Sequence, residues 1–144
     1  MVRKFMNEYI SKHSRFSFKY PNDWELEQED NLITVYNNNG VGALCISDYY
    51  PPKGKKINRI NELIDYLNEN VVGINAEETK QNIITKDDHA YVDYIDKEKT
   101  YWQYWLFSDD KTVILITYNC EEPDREKEKT VVQQIIETLK ILVH

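Results

Sequence analysis

Three β-rich runs separated by short polar turns, all within residues 88–120, set the strongest constraint on how this chain folds. They read His89-Ala-Tyr-Val-Asp-Tyr-Ile-Asp96, Tyr101-Trp-Gln-Tyr-Trp-Leu-Phe107 and Thr112-Val-Ile-Leu-Ile-Thr-Tyr118, split by Asp96-Lys-Glu-Lys99 and Ser108-Asp-Asp110. Aromatic and β-branched side chains suit a pleated, packed surface, and turns this short join antiparallel neighbours, so the pattern predicts a β-meander. Alternation along the middle run sends Tyr101, Trp105 and Phe107 to one face and Trp102, Tyr104 and Leu106 to the other. Two such faces cannot both stand in water. Either helices cover both, or one face is an open binding surface or apolar groove with Tyr101 and Trp105 among its contacts.

The rest of the chain supplies more strands and two amphipathic helices. Phe16-Ser-Phe-Lys-Tyr20 alternates apolar and polar residues and stops at the turn Pro21-Asn-Asp23. Trp24-Glu-Leu-Glu27 continues outward, and Leu32-Ile-Thr-Val-Tyr36 leads into Asn37-Asn-Asn-Gly40, a hairpin signal, so residues 41–50 should run antiparallel to residues 32–36. Residues 79–86 read as a further strand entering the meander. Ile57, Ile60, Leu63, Ile64, Leu67 and Val71 make one stripe at helical spacing. Pro123 and Asp124 open a last helix, with Asp124 as its N-cap and Val131, Val132, Ile135, Ile136, Leu139, Leu142 and Val143 on its apolar face. A narrower stripe of Phe5, Met6, Tyr9 and Ile10 predicts a short helix over residues 3–13. The expected fold is α+β, a twisted antiparallel sheet of about six to eight strands flanked by two main helices. The 144 residues suit one domain spanning residues 1–144.

Two short motifs carry a family resemblance: Phe16-Ser-Phe-Lys-Tyr-Pro-Asn-Asp-Trp24, a strand, a Tyr-Pro turn and a Trp, and the closing helix Ile135-Ile-Glu-Thr-Leu-Lys-Ile141. With these the chain resembles the superfamily of the photosystem II protein PsbP, DcrB-like bacterial proteins and a yeast Ran-release factor. The resemblance implies an antiparallel sheet flanked by helices and a family that mainly binds proteins or acts in assembly. It implies no shared ligand and no catalytic residue.

Charge and missing motifs narrow the function. A net charge of −7 repels nucleic acid and anionic bilayers and favours a basic or neutral protein partner. No window nears the roughly 20 apolar residues of a membrane helix, and no apolar signal run opens the chain, so a cytoplasmic location is expected, with an exported protein whose signal peptide has been removed as the alternative. Cys45 and Cys120 stand far apart with no metal spacing, which suits two ordinary thiols, and Glu121 and Glu122 disfavour a Cys120 thiolate. No phosphate-loop, nucleophile-elbow or zinc motif occurs, and no cofactor or metal is expected. His89 and Asp93 share a strand face but lie too far apart for a dyad. If the meander is right, the turns at Asp87-Asp88 and Asp109-Asp110 meet at one end of the sheet, where they would take a hard cation or a basic partner, or serve simply as soluble turns. Tyr49-Tyr-Pro-Pro-Lys-Gly-Lys-Lys56 is the one basic cluster. It reads either as a solvated connector or as a contact loop using Tyr49, Tyr50, Lys53, Lys55 and Lys56. These readings converge on a non-catalytic cytoplasmic protein-binding module of chaperone, adaptor or immunity type. The alternative is a small hydrolase or ligand-binding enzyme with a pocket near His89. Oligomeric state is left open by the sequence.

Overall fold

The computed structural model describes residues 6–71 and 73–142 of the chain. In chain order the elements are β1 (Met6–Ile10), β2 (Phe16–Pro21), β3 (Glu25–Glu29), β4 (Leu32–Tyr36), β5 (Gly42–Tyr49), α1 (Arg59–Asn70), α2 (Ala76–Asn82) and β6 (Ile84–Thr85). There follow β7 (His89–Ile95), β8 (Thr100–Ser108), β9 (Val113–Glu121), a 3-10 turn at Glu122–Asp124, α3 (Lys129–Glu137) and β10 (Lys140–Ile141). Seven strands form one sheet in the order β3-β4-β5-β9-β8-β7-β6, and a second sheet has three in the order β1-β2-β10. Every pairing is antiparallel. The expected meander is β7, β8 and β9, with Leu106 opposite Ala90 on one side and Leu115 on the other.

Alternation then builds two cores, one on each face of the large sheet. On one face Tyr104, Leu106, Val92 and Leu115 pack against Leu63 and Leu67 from the stripe of α1. On the other, Tyr101, Trp105, Phe107, Ile114 and Ile116 pack against Val132, Ile135 and Ile136 of α3 and against Phe16 and Phe18 of the small sheet. Helices and a second sheet cover both faces, so Tyr101 (8% exposed) and Trp105 (2%) are buried. The open-face arrangement considered for them is replaced by the covered one, because too much apolar surface would otherwise face water.

Three local expectations are corrected. Residues 6–10 form a strand where the stripe predicted a helix: β2 presents an edge to be paired, and Tyr9 gains Phe18 at 5.3 Å between ring centroids. So short a helix would have little support of its own. Phe5 lies outside the described residues. Residues 79–82 belong to α2, capped by the Asn75 side chain accepting from the Glu78 amide at 3.0 Å, which leaves β6 only two residues. The last helix starts at Lys129, not beside Asp124, which instead pairs with Lys127 at 2.8 Å.

Glu128 explains that later start. Its buried carboxylate accepts from the Gly42 amide at 3.0 Å and the Tyr118 hydroxyl at 2.7 Å, anchoring the entry to α3 against β5 and β9. At the far end Lys140–Ile141 leave the helical path to pair with β2, so Leu139 is core while Leu142 follows β10. Val143 lies outside the described residues.

Candidate functional site

The basic loop is fastened down. Tyr49 donates its hydroxyl to Glu62 Oε2 at 2.5 Å, and Lys55 Nζ lies 2.6 Å from Glu62 Oε1. Burial alone raises the Glu62 carboxyl, but the hydrogen bonds from Lys55 and Tyr49 outweigh it and hold Glu62 below the usual glutamate value. Tyr50 is 54% exposed, with the Arg15 guanidinium 3.6 Å from its ring centroid, and Arg15 also pairs with Asp48 at 3.1 Å. Tyr49 and Lys55 therefore tie the loop to α1, while Tyr50, Lys53 and Lys56 face outward.

Strand order does bring the two acidic turns together, with the Ser108 amide 3.4 Å from the Asp88 carbonyl. The cation between them is the protein's own. Arg59 donates to the Asp87 carbonyl at 3.0 Å and to the Ser108 hydroxyl and carbonyl at 3.0 and 2.9 Å. Asp109 Oδ1 accepts from the Lys111 and Thr112 amides of its own turn, and Asp88 from His89 Nδ1 at 2.8 Å. Among the described residues no group of three or more His, Cys, Asp and Glu side chains is placed to hold a metal ion.

A groove of about 670 Å³ lies between α3 and the β6–β8 margin of the large sheet. Tyr91, Asp93, Tyr101, Gln103 and Trp105 make its floor, Lys129, Thr130, Gln133 and Glu137 its helical wall, and Ile84, Lys86 and His89 its outer end. The floor is a closed hydrogen-bond network. Asp93 Oδ2 accepts from Tyr101 at 2.7 Å and Tyr91 at 3.2 Å, and the Tyr91 oxygen accepts from Gln103 Nε2 at 2.9 Å. Burial pushes both phenols up, that of Tyr101 reinforced by its bonds to Tyr91 and Asp93, so both are neutral donors at physiological pH. His89 stacks on Phe107 at 4.5 Å and turns Nδ1 to Asp88, so it makes no pair with Asp93.

The groove lining offers aromatic rings, amide side chains and charged groups, and among the described residues no serine or cysteine nucleophile lines it beside a base. Cys45 and Cys120 are free thiols away from it. Burial raises the Cys120 thiol, and the carboxylates of Asp124, Glu128 and Glu121 add to the effect. Sequence reasoning weighed Tyr101 and Trp105 as contacts, a pocket near His89, and Asp93 only as a residue too far from His89 for a dyad; it missed Gln103 and the wall of α3. Gln103 was available as a signal: it is the one amide in an otherwise aromatic and aliphatic run.

No family model and no curated protein sequence matches the chain. Solved structures do. The solution structure of cyanobacterial PsbP (CyanoP) from Synechocystis sp. PCC 6803 aligns with a TM-score of 0.68 at 11% identity, covering 98% of this chain and 95% of that one. A crystal structure from Bacteroides thetaiotaomicron aligns at 0.65 and 16% identity over 95% of this chain, which spans about half, 48%, of that protein. The Ran-binding protein Mog1p from Saccharomyces cerevisiae aligns at 0.54 and 10% identity, with 96% of each chain covered. At these identities the likeness establishes the fold, the one the Phe16–Trp24 motif pointed to.

Proposed function

We propose that this PsbP- and Mog1-like fold serves as a non-catalytic protein-binding module, with the groove between α3 and the β6–β8 margin as its docking site. One observation carries the reading: the groove is concave, with the half-buried Tyr91 ring above the buried Tyr101 and Trp105, and Tyr91, Tyr101 and Gln103 spend their hydrogen bonds on one another and on Asp93, not on a group poised for chemistry. Mog1p, described as Ran-binding, supports the general class. The net charge of −7 favours a basic or neutral protein over nucleic acid. A cytoplasmic chaperone, adaptor or immunity-type binder fits these terms, and Tyr50, Lys53 and Lys56 offer a secondary contact on the exposed loop.

Parallel capture from the source cell tests the reading. Wild-type protein, Thr130→Trp, which fills the groove, and the loop variant Lys53→Glu/Lys56→Glu are used as baits. A stoichiometric protein retained by wild type and the loop variant but lost by Thr130→Trp supports it. A partner retained by Thr130→Trp sinks it. The competing reading, a small hydrolase or ligand-binding enzyme near His89, has in its favour that His89, Tyr91, Asp93 and Gln103 line one cavity. Ester or phosphoester turnover abolished by His89→Ala would decide for it.

A further inference from the structure

The outer edge of β7 is only half covered. The Asp96 amide bonds to the Thr100 carbonyl at 3.0 Å and the Ser108 amide to the Asp88 carbonyl, so the even-numbered residues of β7 face β8 in the ladder. The main-chain groups of the odd-numbered residues point the other way. His89 receives the Lys86 amide at 2.8 Å and Tyr91 sits opposite Ile84 of β6. There the cover stops, because the chain turns at Ile83 out of α2 and β6 has just begun. Among the described residues, the amides and carbonyls of Asp93 and Ile95 are therefore left without a strand partner, on an edge flanked by Ile84 and Ile95, which are 54% and 39% exposed.

A groove lies on either side of this edge. The one already described opens on the face of Tyr91 and Asp93, and a second of about 500 Å³, between α2 and the β7–β8 turn, opens beside Tyr94 and Ile95. A strand added at the edge sends alternate side chains into the two. The second groove is lined by Glu78, Asp96 and Glu98 against Lys97 alone, an acidic wall on an acidic protein. We infer that the β7 edge at Asp93 and Ile95 binds a partner by strand addition, taking an extended segment that places a basic side chain in the groove beside α2 and an apolar one in the groove beside α3. This rests on the protein-binding reading above and names the kind of partner. A second copy of the chain fits poorly, since pairing β7 with β7 brings together two acidic edges.

The test uses a fluorescent hexapeptide of alternating lysine and valine, its glutamate–valine counterpart, and two lysine peptides N-methylated at one or the other alternating set of amides. Expected results are binding of the lysine peptide, about tenfold weaker binding when the edge-facing amides are methylated, and a similar loss with glutamate. Amide exchange should be fast at Asp93 and Ile95 in the free protein and slowed by the peptide. Equal binding of both methylated peptides, or Asp93 and Ile95 amides already protected at low protein concentration, overturns the inference. Concentration-dependent dimers protecting the same amides do so as well, assigning the edge to a second copy. Ile95→Pro removes an edge amide and should abolish peptide binding; the methylated peptides give the answer even if that variant does not fold. A captured partner lost by Thr130→Trp yet held by a folded Ile95→Pro would leave the binding module standing and remove strand addition alone.

Discussion

Replacing Glu128 by alanine probes how α3 is fixed to the sheet. One oxygen of this buried carboxylate receives the Gly42 amide at 3.0 Å and the Tyr118 hydroxyl at 2.7 Å, with the Val41 amide farther off at 3.4 Å. Hydrogen bonds to a charged group contribute about 1.5–3 kcal/mol each, and the alanine variant leaves the buried Tyr118 hydroxyl and the half-buried Gly42 amide without an acceptor. Water entering the space returns part of that loss, so the expected destabilisation is about 3–5 kcal/mol, a large share of a typical total of about 5–15. Glu128→Gln keeps an acceptor and should cost about 1–2 kcal/mol, as should Tyr118→Phe, which removes one donor and spares the rest. Urea unfolding of Glu128→Ala, Tyr118→Phe and the double variant that combines them forms a cycle, and the double should cost clearly less than the sum. Alanine at position 128 within about 1 kcal/mol of wild type, together with strict additivity in the cycle, would refute the anchoring role.

Other outcomes follow from geometry and protonation. Gly42→Ala should destabilise by about 3 kcal/mol in the same urea assay, because a Cβ there overlaps the Asn119 carbonyl and the Tyr118 ring, neither free to move. Glu62 is held below its ordinary value, so its contribution is present above the unfolded glutamate value near pH 4.3 and fades as pH falls through the lower folded value. Wild type should therefore exceed Glu62→Gln in stability at pH 7, with the gap closing below about pH 4 in parallel melts. Tyr101, Tyr104 and Tyr118 are all raised, chiefly by burial, so the stability they confer is intact below about pH 10 and lost above it. Ultraviolet titration should show a set of phenols ionising together with alkaline unfolding; independent titration of every tyrosine near pH 10 would contradict their burial.

The meander was legible because alternation and short turns are local signals, and the assignment of Tyr101 and Trp105 to one face and Tyr104 to the other came directly from the pleat. The stripe of α1 was equally plain. The small sheet was not, since β1 and β10 are defined by what β2 offers them and not by any pattern of their own. Residues 79–82 gave no strand because Asn75, Glu77 and Glu78 start a helix that a search for alternation overlooks. That α3 walls the groove beside His89 escaped for a related reason. It depends on how far α3 extends across the sheet, a distance no stretch of residues records. The acidic turns were correctly brought together, yet the cation that joins them, Arg59, enters from a helix far away in sequence.

The second edge of β2 has a consequence in time. Ser17 pairs with Asn7's strand on one side, through Ile10, and with Lys140 on the other. During synthesis the first partner is present at once, while the second emerges only after every strand of the large sheet has been made. Until then Phe16 lacks its final neighbour Ile141, and an early part of the chain waits on a late one. The small sheet thus acts as a clasp that cannot close before the rest of the fold exists.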